Sequence, residues 1–173
     1  MRMFHVEPNR KALFRKGFLL FLVFLAVSCI KPQHTIEIQD YVLLENGKQV
    51  LGKEKGLTAF IFENNPTKIP FHQFVADKYE VGSYTDVKYD VKVDGYRFKV
   101  LVYENAEMEK YFNMSQFMVT NSPPETNIVG STAKFIAISV INDTNEDCLD
   151  DNSLYKHVVI NYLKNLKDEF NNL

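Results

Sequence analysis

The chain has 173 residues, 46% hydrophobic and 24% charged, a balance that excludes a disordered tail, a collagen-like fibre and a polytopic membrane protein. The formal charge of −2 hides a change of sign along the chain. Five of the 20 basic groups (Arg2, Arg10, Lys11, Arg15, Lys16) but only one of the 22 acidic groups (Glu7) precede residue 29, so the remainder carries 15 against 21, a net of −6. An acidic domain of this kind disfavours nucleic acid as a partner.

Phe18 to Val27 reads FLLFLVFLAV, ten apolar residues behind the basic cluster. As a helix they reach about 15 Å, half of a hydrocarbon core of about 30 Å. A basic region, a short apolar core and small residues at its end are the parts of a secretory signal over residues 1–28. A tilted anchor helix starting near Leu13 is the alternative. The apolar core ends in Leu25-Ala26-Val27-Ser28-Cys29, which resembles the lipobox of bacterial lipoproteins, of the Bacteroidota type. Ala26 and Val27 depart from the commonest residues of that motif. The resemblance implies cleavage before Cys29, diacylation of its thiol and a bacterial envelope location. Two or more acyl chains anchor stably where one holds only marginally. Residues 29–34, with Pro32, then form a tether. No acidic cluster follows Cys29 at once, which favours the periplasmic side of the membrane over the cell exterior. With Cys29 acylated, Cys148 has no partner and the domain has no disulfide, a Cys29–Cys148 bridge being the alternative.

Residues 35–173 read as a single α+β domain. Thr35 to Ile38 alternates, and Tyr41 to Leu44 runs into Asn46-Gly47, a hairpin signal. Leu57 to Phe62 is a short apolar run expected to be a strand buried on both sides. Pro70 opens a helix whose stripe is Phe71, Phe74, Val75 and Tyr79, and Gly82 ends it. Val87 to Tyr103 alternates on both sides of Asp94-Gly95, so a two-residue turn pairs Val93 with Tyr96 and Tyr89 with Val100. On the other face Asp90 meets Lys99 favourably and Lys92 meets Arg97 unfavourably, leaving a basic tip that could hold an anion or be plainly solvated.

A short helix follows from Ala106 to Phe112 with Asn105 as its cap, then a strand over Gln116–Thr120 and a loop at Asn121–Glu125 with paired prolines. Lys134 to Asn142 is apolar on both sides, as in a central strand, and a long amphipathic helix closes the chain from Ser153 to Phe170. The expected fold is a mostly antiparallel sheet with hairpins, covered on one face by helices including the C-terminal one.

The search for chemistry yields little. His34, His72 and His157 sit singly, without HExxH or paired Cys. On a twelve-residue Ca²⁺ loop, Asp143, Asn145, Asp147 and Asp151 fall at positions 1, 3, 5 and 9. The Gly of position 6 is Cys148 and the Glu of position 12 is Leu154, so this is not an EF-hand. These acids are read first as capping groups for the last helix, with an irregular Ca²⁺ site as the alternative. Cys148 has acidic neighbours and reads as an inert thiol. No GxSxG elbow, SxxK pair or Gly-rich phosphate loop is present. Tyr84, Tyr89, Tyr96 and Tyr103 cluster around the hairpin, and alternation assigns Tyr89 and Tyr96 to the core face rather than to a binding platform.

The sequence therefore leads to an envelope lipoprotein tethered at Cys29, working by binding, without a cofactor and not as an enzyme. Its partners are the membrane, through the lipid, and an envelope protein. An envelope enzyme assembled from dispersed residues and a toxin-neutralising lipoprotein are the alternatives.

Overall fold

The structure is a computed structural model and describes residues 35–121 and 133–173. Cys29, the leader before it, the tether and most of the paired-proline loop lie outside the described residues. Thr35–Leu173 clusters as one unit. Among the described residues are seven strands and three α-helices, and none of the helices is long and apolar enough to cross a membrane.

The central hairpin follows its alternation. β4 (Lys88–Val93) and β5 (Tyr96–Val102) pair Val93 with Tyr96, Val91 with Phe98 and Tyr89 with Val100. Asp94 and Gly95 both take positive φ, 51° and 89°, as the twist-matching tight turn requires. β5 in turn pairs with β7 (Phe135–Asn142), which lies at the middle of a five-stranded antiparallel sheet. The order is completed on the other side by β3 (Ala59–Glu63) and then β2 (Val42–Leu44).

A central strand buries both its faces, and β7 does so along seven of its eight residues. Ile136, Ile138 and Val140 face the main core, while Phe135 and Ala137 face a second one. The main core is sealed by α1 (Phe71–Lys78) and α3 (Lys156–Asn171). Phe71 and Phe74 of α1 meet Phe170 of α3 at ring separations of 5.1 and 5.6 Å, contacts that add about 0.5–1.5 kcal/mol each beyond burial. The stripes read from the sequence are thus the faces that pack.

Four local expectations are corrected. Asn46-Gly47 is not the two-residue turn of the first hairpin. Only Asn46 of the pair is left-handed, and the pairing runs on through Gly47 N–H to Leu57 O and Leu57 N–H to Lys48 O, so the chain reverses over 49–56. Gly47 is needed for close approach instead, since a Cβ there would stand 2.5 Å from the Tyr103 hydroxyl and 2.8 Å from the Leu57 carbonyl. The expected strand at Gln116–Thr120 shrinks to β6 (Phe117–Met118), paired in parallel with β1 (Ile36–Glu37). The Glu63 carboxylate accepts the Thr120 and Asn121 amides (2.5 and 2.6 Å) and so ends the strand.

The helix α2 (Asn105–Tyr111) is capped by Glu104, one residue before Asn105, in a reciprocal box with Glu107. It also lies on the opposite face from α1 and α3, where Met108 and Phe112 pack with Ile61 and Ala137. Helices therefore cover both faces. Seven residues give too short a stripe to show in advance which face is served.

Candidate functional site

The 49–57 segment and the 142–155 segment flank one groove, of about 750 Å³, at the end of the sheet. Asn142 at the end of β7 organises the second segment. Its Oδ1 accepts the Thr144 and Glu146 amides (3.0 and 2.9 Å), and its Nδ2 donates to Glu146 (2.9 Å). Such side-chain mimicry of a turn is why Asn recurs in these loops. Asn145 completes the reversal with φ 58°, a conformation Asn tolerates better than most residues. Hydrogen bonds from Asn142 and Thr144 hold the Glu146 carboxyl below its usual range.

Asp147 ties the groove together. Its carboxylate accepts the Thr58 amide at 2.6 Å and the Leu149 amide at 2.8 Å, linking the acidic loop to the chain entering β3. Lys55 bridges Asp150 (3.1 Å) and Glu45 (3.3 Å) across the rim. The Asn152 amide and Lys55 hold Asp150 below the ordinary carboxylate range. Asp151 pairs with Lys156 of α3, and Asp143 is exposed. The four candidate cation ligands thus have separate engagements: Asp147 on backbone amides, Asp151 on a lysine, Asn145 in the turn and Asp143 at the surface. Among the described residues no group of three or more His, Cys, Asp or Glu side chains could hold one metal ion.

The helix-capping role expected for this stretch is present in part. The Ser153 hydroxyl accepts the Tyr155 amide (3.3 Å) and Asp150 accepts the Asn152 amide (3.0 Å), while α3 itself begins only at Lys156. Cys148, two residues into the core, is buried and unpaired. Burial, with Asp147 and Glu146 adding to it, pushes its thiol up to about 12, which suppresses the thiolate at neutral pH. At the mouth of the groove Leu154 is 93% exposed. The groove therefore offers a rim on which Lys55, Asp147 and Asp150 are engaged within the chain while Lys53 and Glu54 form no ion pair among the described residues, with the exposed aliphatic side chain of Leu154 beside them. Asp147 and Asp150 are thereby committed to structural bonds.

Two buried polar assemblies were not visible in the sequence. The Tyr162 hydroxyl of α3 lies 2.8 Å from Tyr79 and 2.7 Å from Tyr89, whose rings stack at 4.0 Å. Burial pushes Tyr89 and Tyr162 far above the ordinary phenol range, and the three linked hydroxyls hold helix to sheet. The other links Tyr103, Ser139, Thr58 and Lys48. Its only sequence trace is a serine inside an apolar strand. Of the hairpin tyrosines, Tyr89 and Tyr103 are buried and Tyr84 is exposed; Tyr96, expected in the core, is instead exposed, because it stands next to the turn where the sheet ends, edge-on to Tyr155 at 5.1 Å. A second hollow, of about 780 Å³, lies over Met108, Phe112, Phe117 and Phe135, the side chains that hold α2 on the sheet.

Comparison with protein-family models, curated proteins and solved structures found no match for this chain, so the reading of the groove rests on its own residues.

Proposed function

We propose that the chain is a bacterial envelope lipoprotein, cut before Cys29 and lipidated on that thiol. Its α+β domain works by binding, with the groove between 52–57 and 145–155 as the contact region. The observation that carries this is the order of the N-terminal signals: a basic cluster, ten apolar residues and Leu25-Ala26-Val27-Ser28-Cys29, six residues before Thr35. Each acyl CH₂ buried contributes about 0.8 kcal/mol, so a diacylated Cys29 holds the domain at a bilayer without a spanning helix. Binding rather than catalysis is supported by the engagement of Asp147 and Asp150 and by the exposed Leu154.

The test is Cys29→Ala in a bacterial host, following acyl labelling, processing and detergent partition. The wild-type chain is expected to take up label and partition into detergent, and the variant to accumulate as unlabelled precursor. A variant that matures and partitions as before refutes the reading.

A further inference from the structure

The second face of the sheet is only half covered. At one end α2 and the β1–β6 pair lie over it, and next to them Leu57 and Val50 pack on Leu101 and Ile141. Among the described residues nothing packs on this face of the hairpin beyond, whose Asp90, Lys92, Arg97 and Lys99 are exposed. Strand alternation sends Tyr89, Val91, Phe98 and Val100 into the main core, so Asp90, Lys92, Arg97 and Lys99 stand on the open side. Lys92 is directly opposite Arg97, a like-charge pair that costs stability in a sheet. Lys92, Arg97 and Lys99 are exposed, and none forms an ion pair among the described residues. Elsewhere Lys48, Lys55, Lys78, Lys156, Lys164 and Lys167 pair with carboxylates, as does Lys88 at the start of the same strand, while Lys53, Lys68, Lys110 and Lys134 form no ion pair among the described residues and lie outside this hairpin.

Two further observations fall on the same side. Lys99 is the cross-strand neighbour of Ile141, on which Val50 packs, and Leu51 beside Val50 is 98% exposed. Ile38, three residues after Thr35, is buried in the layer that covers this face. The chain coming from the tether therefore enters on the side that carries the free cations.

We propose that this bare basic half of the sheet, with Leu51 at its border, is the surface by which the domain lies on an anionic lipid bilayer. The match is one of charge. Three cations without ion pairs against the single acid Asp90 on the exposed face of a hairpin suit a field of phosphate headgroups, and an exposed leucine suits the interfacial region beneath them. The rest of the domain is acidic and is repelled by that surface, so the charge asymmetry orients the molecule. The inference rests on the lipid-anchored reading for proximity: six residues from Cys29 reach about 20 Å at full extension, beyond a Debye length of about 8 Å but close enough to keep the face near the membrane.

The test reconstitutes the whole protein on vesicles of phosphatidylcholine alone or mixed with phosphatidylglycerol, and measures amine acylation at each lysine. On mixed vesicles, labelling of Lys92 and Lys99 is expected to fall roughly five-fold relative to Lys78 and Lys164 on the helical side, and to recover at high salt. The K92E/R97E/K99E variant leaves Lys88, exposed on the same face of the strand, as the amine to follow; Lys88 is expected to be protected on mixed vesicles in the wild type and to lose that protection in the variant. The variant exchanges the like-charge pair at 92 and 97 for one of opposite sign and adds another at 90 and 99, so its melting temperature is measured to show whether the fold is retained. Equal labelling on both vesicles, or protection that survives the triple reversal, overturns the proposal, as does protection by an acidic protein but not by the mixed vesicles. Failure of the anchored reading shows separately, as a protein that does not float with phosphatidylcholine. Its flotation with mixed vesicles, lost in the triple variant, then makes the same comparison.

Discussion

Ser139 is fully buried in the middle of β7, and replacing it tests whether the second core is held by a directed chain of hydrogen bonds. Its one proton goes to the Thr58 carbonyl at 2.7 Å. The Tyr103 hydroxyl, 2.9 Å from Ser139, must therefore donate to it, and is free to accept the Lys48 amide at 2.9 Å. Ser139→Ala deletes a donor and an acceptor together, leaving the Thr58 carbonyl and the Tyr103 hydroxyl each short of a partner. At about 1–3 kcal/mol per orphaned buried group, with some rotation of the phenol, the expected loss is about 2–4 kcal/mol. Tyr103→Phe leaves Ser139 bonded to Thr58 and orphans only the half-buried Lys48 amide, an expected loss of about 1–2 kcal/mol. The two changes share one bond, so the double variant should fall short of their sum by about 1 kcal/mol.

Urea unfolding followed by far-UV circular dichroism reads these losses, since the chain has no tryptophan to serve as a probe. With a slope of about 2 kcal/mol per molar, Ser139→Ala moves the midpoint down by about 1–2 M at unchanged slope. A Ser139→Ala chain within about 0.5 kcal/mol of wild type, or strict additivity in the double variant, refutes the chain of bonds.

His72 on α1 gives a pH dependence. Burial holds its imidazole below the usual value against the opposing pull of Glu104 and Glu107, and its Nε2 has no hydrogen-bond partner. The unfolded chain then takes the proton first, so stability falls as pH drops below about 6.5 and levels off under the folded value. Asp40 and Asp86, lowered chiefly by lysine partners, and Asp150, lowered first by the Asn152 amide and then by Lys55, act in the same sense but at lower pH. Their stabilisation is present above about pH 4 and is lost only in the carboxylate range. Melting temperatures between about pH 7 and pH 5 should slope downward in wild type and flatten in His72→Phe; an equal slope in both refutes the assignment. For the acidic loop, millimolar Ca²⁺ is expected to leave the melting temperature unchanged, because Asp147 and Asp151 are already bonded to backbone amides and Lys156. A concentration-dependent rise would show instead that the loop rearranges around the ion.

The candidate site was legible only as composition. The run of acids and amides at 142–152 announced a loop with capping groups, and that is part of what it builds. Its partner segment at 52–57 is some ninety residues earlier in the chain, and nothing local to either stretch marks Asp147 as the acceptor of the Thr58 amide. The same holds for the tyrosine clasp, whose members come from the end of α1, from β4 and from α3. Sequence could place Tyr89 on an inward face but could not supply the two hydroxyls that meet it.

What the sequence by itself determined was whatever depends on near neighbours. The hairpin register at Asp94-Gly95, the stripes of α1 and α3 and the two-sided burial of β7 all follow from periodicities of two and 3.6 residues and from the φ that a tight turn demands. Tertiary structure alone decided which elements become neighbours. It carried the Asn46-Gly47 pairing past its apparent turn, laid α2 on the second face, joined the two loops into a groove and left Lys92, Arg97 and Lys99 on a bare half of the sheet. The physical reason is that such choices are settled by long-range packing of apolar faces and by satisfying buried donors and acceptors from distant segments, neither of which leaves a local signal in the chain.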